Sequence, residues 1–438
     1  MRILIVGTAG RDFHVFNTLY RDNPDHTVVA FTSTDLGPDQ QGHYPACLSG
    51  PLYPDGLPIL PESDLERIIA AESVAQVVFA YSEIDSEVVT RLAARTLAAG
   101  ADFHLANPRR AMLRSSRPVI AVTSARSGTG KSPTVSYLAA LLHSWGRRVA
   151  VVHHPVRALT FTDHEQDLAR LDDTIVDAGA APLSEPFAAI PGVRVFSGLD
   201  FGSVLAAAQE DADVVLWDGA DSDLPFVEPT LHVVVTDPQR VDEESDYLPG
   251  EVGLRMADVV IITGGDTATA EQRAGVERIV RRLNPGADLL TADTPVVVEG
   301  GGGVSGRTVV VVEEEVALTL AGLRPGAGTV AAHQLGVSGI ISPLPQAVGG
   351  LVEVYARHPE AQSILPAFGR DPRLLADLAA TLSATPSEAV IDATRTGLAS
   401  VLDLDRPVAR AAFTLRPHAP ERLADLVREA IGRPPAAV

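Results

Sequence analysis

A single cysteine in 438 residues, Cys47, leaves no partner for an internal disulfide. Core packing alone has to hold the fold, which fits a reducing compartment. Cys47 reads as a small packing residue, because no histidine arrangement singles it out as a thiol nucleophile. Basic residues are in deficit, 35 Lys and Arg against 56 Asp and Glu, giving a net charge of −21. That balance argues against a protein that grips nucleic acid by its phosphates. A nucleotide is still allowed, since backbone donors hold it locally whatever the global charge. No apolar run approaches the roughly 18 residues of a membrane span, so no membrane partner is expected. The opening MRILIVGTAGRDF runs into a strand and turn without a small-residue cleavage site, and a cytoplasmic protein is expected. Nor do the twelve histidines show a spacing with Cys or Asp that suggests zinc.

What is present is an ordinary globular composition, 46% hydrophobic and 21% charged, in a chain long enough for two or three cores. The expected fold class is α/β, in three units. Residues 1–113 alternate strands (Ile3–Val6, Val28–Thr32, Val77–Tyr81) with helices near Val15–Arg21, Asp64–Glu72 and Ser86–Ala99, the pattern of a Rossmann-like parallel sheet. The Gly- and Pro-rich stretch Gly37–Pro61 reads as an unusually long loop. Residues 114–300 read as a P-loop unit with a mostly parallel sheet, and residues 157–190 within it as a mobile, acidic segment. A third α/β unit, 301–438, is expected to carry substrate. The cluster Gly300–Gly303 is the best linker candidate, with a loop near phosphate as the alternative.

The decisive motif is Ala125-Arg126-Ser127-Gly128-Thr129-Gly130-Lys131-Ser132, between the apolar strand Val119–Thr123 and a helical stretch reaching Trp145. Gly128 and Gly130 let successive backbone N–H groups turn inward around phosphate oxygens. Lys131 reaches the β and γ phosphates, and the Ser132 hydroxyl ligates Mg²⁺. The helix adds the positive end of its dipole, and Pro133 falls in its first turn, where a missing N–H costs little. Arg126 stands where an often dimeric branch of P-loop proteins carries a second lysine. It either supplies charge to a transferring phosphoryl group, across a homodimer, or is a surface arginine beside phosphate.

Asp218 closes the apolar strand Val214–Trp217 and reads as the carboxylate that holds Mg²⁺ through water. Asp221 and Asp223 follow it and read more simply as solvated loop acids. Guanine-specific proteins carry Asn-Lys-x-Asp after a later strand, whereas this chain has Thr263-Gly264-Gly265-Asp266. Only Asp266 matches, so ATP is favoured over GTP. Weaker signals are the turn Gly7-Thr8-Ala9-Gly10-Arg11-Asp12, with Asp35 after the second strand, and the pair His153-His154. The turn has GxxG rather than GxGxxG, so an anion or substrate pocket using Arg11 is preferred to a dinucleotide. His154 is a further candidate beside the nucleotide.

Several stretches resemble the family of cyclic 2,3-diphosphoglycerate synthetase-like proteins, also described as predicted GTPases. They are GTAGRDFHVFN (7–17), YPDGLPILP (53–61), VVFAYSEID (77–85), SGTGKS (127–132), VLWDGADSDLPF (215–226), YLPGEVGLRMADVVI (247–261), GAGTVAAHQLG (326–336) and ILPAFG (364–369), spread over nearly the whole chain. The resemblance implies an ATP-dependent synthetase or phosphotransferase that activates one substrate group by phosphorylation before a neighbouring group attacks. Gly326 and Gly328 would then help form the acceptor site. An EDGPTLTHGG-like motif is expected in that family, and here the chain reads Glu313-Glu314-Glu315-Val316-Ala317-Leu318-Thr319-Leu320-Ala321-Gly322. The extra carboxylates would repel a polyanion, so the expected substrate is a different small anionic or carboxylate acid. The competing expectation is a regulatory GTPase or ATPase switch that binds a protein partner.

Overall fold

The computed structural model describes residues 1–34, 36, 41–80, 86–154, 190, 192–198, 200–219, 224–240, 248–314, 325–367, 372–394, 397–398, 402 and 404–433. Asp35, Asp221, Asp223 and nearly all of the segment expected to be mobile lie outside these residues, as does the stretch from Glu315 to Gly322.

The chain is α/β with mostly parallel sheets. Strands β1 (Arg2–Val6), β2 (Thr27–Ser33), β3 (Gly42–Tyr44), β4 (Leu57–Pro61), β5 (Gln76–Phe79) and β6 (Asp102–Leu105) form the first sheet, in the order β3-β4-β2-β1-β5-β6. Only β3 on β4 is antiparallel. The stretch expected to be one long loop carries β3, a short helix Ala46–Ser49 and β4, because Tyr44, Leu48, Leu57 and Ile59 are all buried in the core. The first helix starts at Gly10, ahead of the apolar periodicity, since the Asp12 carboxylate accepts from Ala9 N at 2.9 Å and caps it early.

The second sheet runs through β7 (Val119–Ser124), β8 (Val149–His153), β9 (Val193–Phe196), β10 (Val214–Asp218), β11 (Leu231–Thr236), β12 (Val259–Ile262) and β13 (Asp288–Asp293), in the order β13-β12-β11-β7-β10-β8-β9, all parallel. Every residue of β7, β8, β10, β11 and β12 is buried, as parallel strands covered on both faces require. Alternate residues serve opposite layers. Ile120, Val122 and Leu216 meet the helix Lys131–Ser144, while Val119, Ala121 and Trp217 meet the helix Phe201–Asp211.

The third sheet contains β14 (Val296–Glu299), β15 (Thr308–Glu314), β16 (Gly339–Ile340), β17 (Leu365–Ala367), β18 (Ala389–Ala393) and β19 (Val408–Phe413). The Gly300–Gly303 cluster forms a tight helical turn between β14 and β15, so it connects two strands of one sheet and is not a linker between units. After β19 the chain returns to the central sheet: β20 (Arg416–Pro417) pairs with β13, and the helix Pro420–Gly432 buries Leu423 and Val427 beside Ile120 and Val233.

The first sheet is anchored on the central one. Leu113 N donates to Phe226 O at 2.7 Å, Arg21 pairs with Asp200 at 3.3 Å, and the His14 ring stacks on Phe226 at 4.1 Å. Beneath the P-loop, His232 on β11 shares a 2.8 Å hydrogen bond with the Thr123 hydroxyl and is fully buried. Burial pushes its pKa down to about 4, and the nearby Arg109 charge acts in the same direction. The folded chain thus stays unprotonated there between pH 6.5 and 4, where the unfolded chain takes up a proton. Stability at this site is therefore lost as pH falls through that window, by about 3 kcal/mol. Urea unfolding of wild type and His232→Gln across pH 7 to 4 should show a shallower acid slope in the variant.

Candidate active site

The P-loop lies where β7 ends and the helix Lys131–Ser144 begins, at the carboxyl edge of a parallel sheet. Gly128 and Gly130 have φ of 75° and 97°, the left-handed region that the inward-facing loop requires. Thr129 braces the loop: its hydroxyl donates to Arg126 O at 2.9 Å, and its carbonyl accepts from the Thr263 hydroxyl at 2.6 Å. A side chain at Gly130 would come within 3.1 Å of Thr263. The P-loop is thereby locked to the Thr263–Asp266 turn after β12, with Asp266 exposed at its end.

Two sequence candidates meet directly. Lys131 Nζ donates to Asp218 Oδ1 at 2.5 Å, and the two side chains are only 4% and 6% exposed. The other carboxylate oxygen, Oδ2, accepts from His153 Nδ1 at 2.9 Å. Register explains the meeting, because β10 lies between β7 and β8 and Asp218 stands level with His153. Asp218 is thus fixed from both sides. Ser132 sits half-buried in the first turn of the helix, Arg126 is half-buried, and Ser127 is buried. His153 was one of the weaker sequence signals, and the pairing of β8 with β10 identifies its partner.

The weaker candidates fall elsewhere. Arg11 is buried, donates to the Leu224 carbonyl and lies 4.9 Å from the centre of the Phe226 ring. It ties the first sheet to the central one and does not present an open anion site. His154 is buried against Phe226 and Phe201, and its backbone N–H donates to Asp218 O at 3.0 Å. Gly326 and Gly328 lie at the start of the helix Ala327–Leu335 in the third sheet, against Glu313. The Glu313 carboxylate accepts from Thr329 N at 2.9 Å and from the Thr329 hydroxyl at 3.1 Å. Burial raises its pKa, with the Thr329 bonds opposing.

No protein-family model matches the chain. Arginine synthetase ArcE of Thermococcus kodakarensis is 40% identical over 440 residues, covering 98% of this chain and 96% of the relative. The chain belongs to the ArcE family. Cyclic 2,3-diphosphoglycerate synthetase from the same organism is 28% identical over 101 residues, covering 22% of each chain. The likeness read across most of the sequence is therefore carried at full length by ArcE, and by the diphosphoglycerate enzyme over a much shorter stretch. Among solved structures, LpxK from Aquifex aeolicus in complex with ATP covers 73% of this chain and 90% of its own, at 13% identity and a TM-score of 0.38. The coarse reading is a P-loop, nucleotide-using enzyme of the synthetase kind. Among the described residues, no helix is long and apolar enough to cross a membrane.

Lys131→Ala strands the buried Asp218 carboxylate without its cation. Urea unfolding without nucleotide should show a loss of about 3 kcal/mol, and pairing it with Asp218→Asn should recover part of that loss. Recovery would show that the charge, not the lysine stem, carries the cost.

Proposed function

We propose that this chain is an ATP-dependent synthetase that phosphorylates an oxygen of a small acceptor and then lets a nitrogen nucleophile displace the phosphate. The observation that carries this reading is the buried Lys131–Asp218 pair at the P-loop, in a full-length relative of an arginine synthetase. Lys131 would leave Asp218 for the phosphates, and Ser132 and Asp218 would then hold Mg²⁺. The donor set fits that ion, with a hydroxyl at the start of the helix and a carboxylate at the adjacent strand end. Bound there, Mg²⁺ supplies charge neutralisation to the transferring phosphoryl group. Backbone N–H groups from Ser127 to Lys131 cradle the phosphates, and Arg126 adds positive charge beside them. Asp266 is the residue proposed at the base, and the missing Asn-Lys pair favours ATP over GTP. A three-unit division remains part of the proposal, with its second boundary ahead of β14 at Val296 rather than at 300.

The relative's product suggests the acceptor. Arginine ends in a carbon bonded to three nitrogens, and its oxygen counterpart is the ureido amino acid citrulline. Phosphorylation of the ureido oxygen by ATP releases ADP and makes that oxygen a leaving group. Ammonia then attacks the same carbon, the carbon–oxygen bond breaks, and the oxygen departs on inorganic phosphate. The two hydrogens that ammonium loses end on that phosphate, and the guanidinium remains. Splitting one difficult displacement into two easier steps is the advantage of the phosphorylated intermediate.

The test is phosphate release from ATP and from GTP with Mg²⁺, citrulline and ammonium, using citrulline carrying heavy oxygen at the ureido carbonyl. Release should require both co-substrates, should place the heavy oxygen in phosphate, and should vanish in Lys131→Ala. Release indifferent to every acceptor, or specific to 2,3-diphosphoglycerate, would overturn the reading.

A further inference from the structure

Three other buried carboxylates, those of Asp12, Glu313 and Asp392, show by contrast what sets Asp218 apart. Asp12 accepts from Ala9 N, Glu313 from Thr329 N, and Asp392 from Thr394 N and Leu398 N. Each takes backbone donors of a turn or helix start and so works as a cap. Asp218 is held by side chains from two other elements. Lys131, on the helix after the P-loop, reaches Oδ1, and His153, at the end of β8, reaches Oδ2. Side-chain donors can change partners, and these two are not equally free to do so.

Lys131 carries its ammonium on a flexible four-carbon stem, long enough to swing from a carboxylate to a phosphate. The His153 ring stands one carbon from the backbone, and that backbone is pinned. β8 pairs with β10 in register, with His153 level with Asp218. The next N–H, that of His154, donates to the Asp218 carbonyl at 3.0 Å. Behind it, the His154 ring lies 5.4 Å from Phe201 and 4.9 Å from Phe226, centre to centre. A side chain on Gly10 would come within 1.8 Å of His154 Nε2, so the first sheet closes the space from the other side. The end of β8 is thus bonded to Asp218 in front and packed in at the back. The carboxylate is an acceptor, so the proton of the His153 bond sits on Nδ1. An imidazole makes that bond without a permanent charge, whereas a lysine or arginine there would compete with an arriving cation for the carboxylate.

We infer that His153 is a positioning residue: it keeps hold of Asp218 Oδ2 when Lys131 leaves, so that Oδ1 is the oxygen offered to the divalent ion of the nucleotide complex. This rests on the reading of the site as one for Mg²⁺ and ATP, with Asp218 as an ion ligand. His153 then acts through Asp218 rather than on the reacting atoms. A carboxylate without that anchor could rotate and offer either oxygen. Groups that orient a metal ligand in this way typically contribute roughly ten- to a hundredfold in metal affinity.

The experiment is ADP-dependent binding of Mn²⁺ to the full chain, read by electron paramagnetic resonance, in wild type, His153→Asn and His153→Gln. Asparagine places an N–H where Nδ1 stands, and glutamine places it where Nε2 stands. His153→Gln should weaken Mn²⁺ binding about tenfold, and His153→Asn should stay within about twofold of wild type. ADP binding without a divalent ion should be the same in all three, since the P-loop donors are untouched. Equal Mn²⁺ affinity in all three, equal weakening in both variants, or a parallel loss of ion-free ADP binding would overturn the inference. His153→Leu, which fills the space without a donor, takes the place of the glutamine variant in the same comparison if that one does not fold. In phosphate release with ATP, citrulline and ammonium, the Mg²⁺ concentration giving half the maximal rate should rise about tenfold in His153→Gln. A fall in kcat with that concentration unmoved would refute positioning and point to proton transfer. The binding measurement contains no acceptor, so it stands apart from the reaction. Turnover of citrulline with Mn²⁺ binding unshifted in His153→Gln removes the role of His153 and leaves the reaction standing. The expected Mn²⁺ shift without turnover of citrulline does the reverse.

Discussion

Everything at the active edge depends on one carboxylate being held at both oxygens. Asp218 faces Lys131 on one side and His153 on the other, in surroundings with almost no solvent. A lone charge would not survive there, because burial without a partner costs several kcal/mol. The pair therefore stores a requirement as well as a contact. In the proposed reaction Lys131 would turn to a phosphate as another cation takes its place at Asp218, which would couple nucleotide and metal by charge balance.

The strand register makes that arrangement rigid. Three parallel strands, β7, β10 and β8, deliver the P-loop, Asp218 and His153 to a single edge, and their buried Val, Ile and Leu side chains keep them level. A shift of one residue in β10 would point Asp218 to the opposite face, where Trp217 now packs among Phe201 and Phe226. The hydrophobic pattern thus fixes the chemistry as firmly as the loop does.

Much of this was legible before any coordinates. The glycines of 125–132 declare their turn by residue type, and Asp218 stands out at the end of an apolar strand. The α/β class follows from the alternation of apolar runs. The partner of His153 was not legible, since it comes from lateral pairing with a strand more than sixty residues away. Arg11 was misleading for a related reason. A basic residue after a glycine turn suggests an anion, whereas here its charge goes to a carbonyl and an aromatic face on another sheet. The run Gly300–Gly303 looked like a flexible joint because composition does not reveal whether the flanking strands share a sheet.

The return of the chain to the central sheet has a consequence for how the protein is made. Residues 296–413 form a sheet inserted between β13 and β20, and the helix that seals Ile120 and Val233 arrives only at 420–432. On the ribosome, the first sheet has all its strands once residue 105 has emerged, and the third can assemble soon after residue 413. The nucleotide unit has to wait, with part of one apolar face of its sheet uncovered, until that last helix has been synthesised.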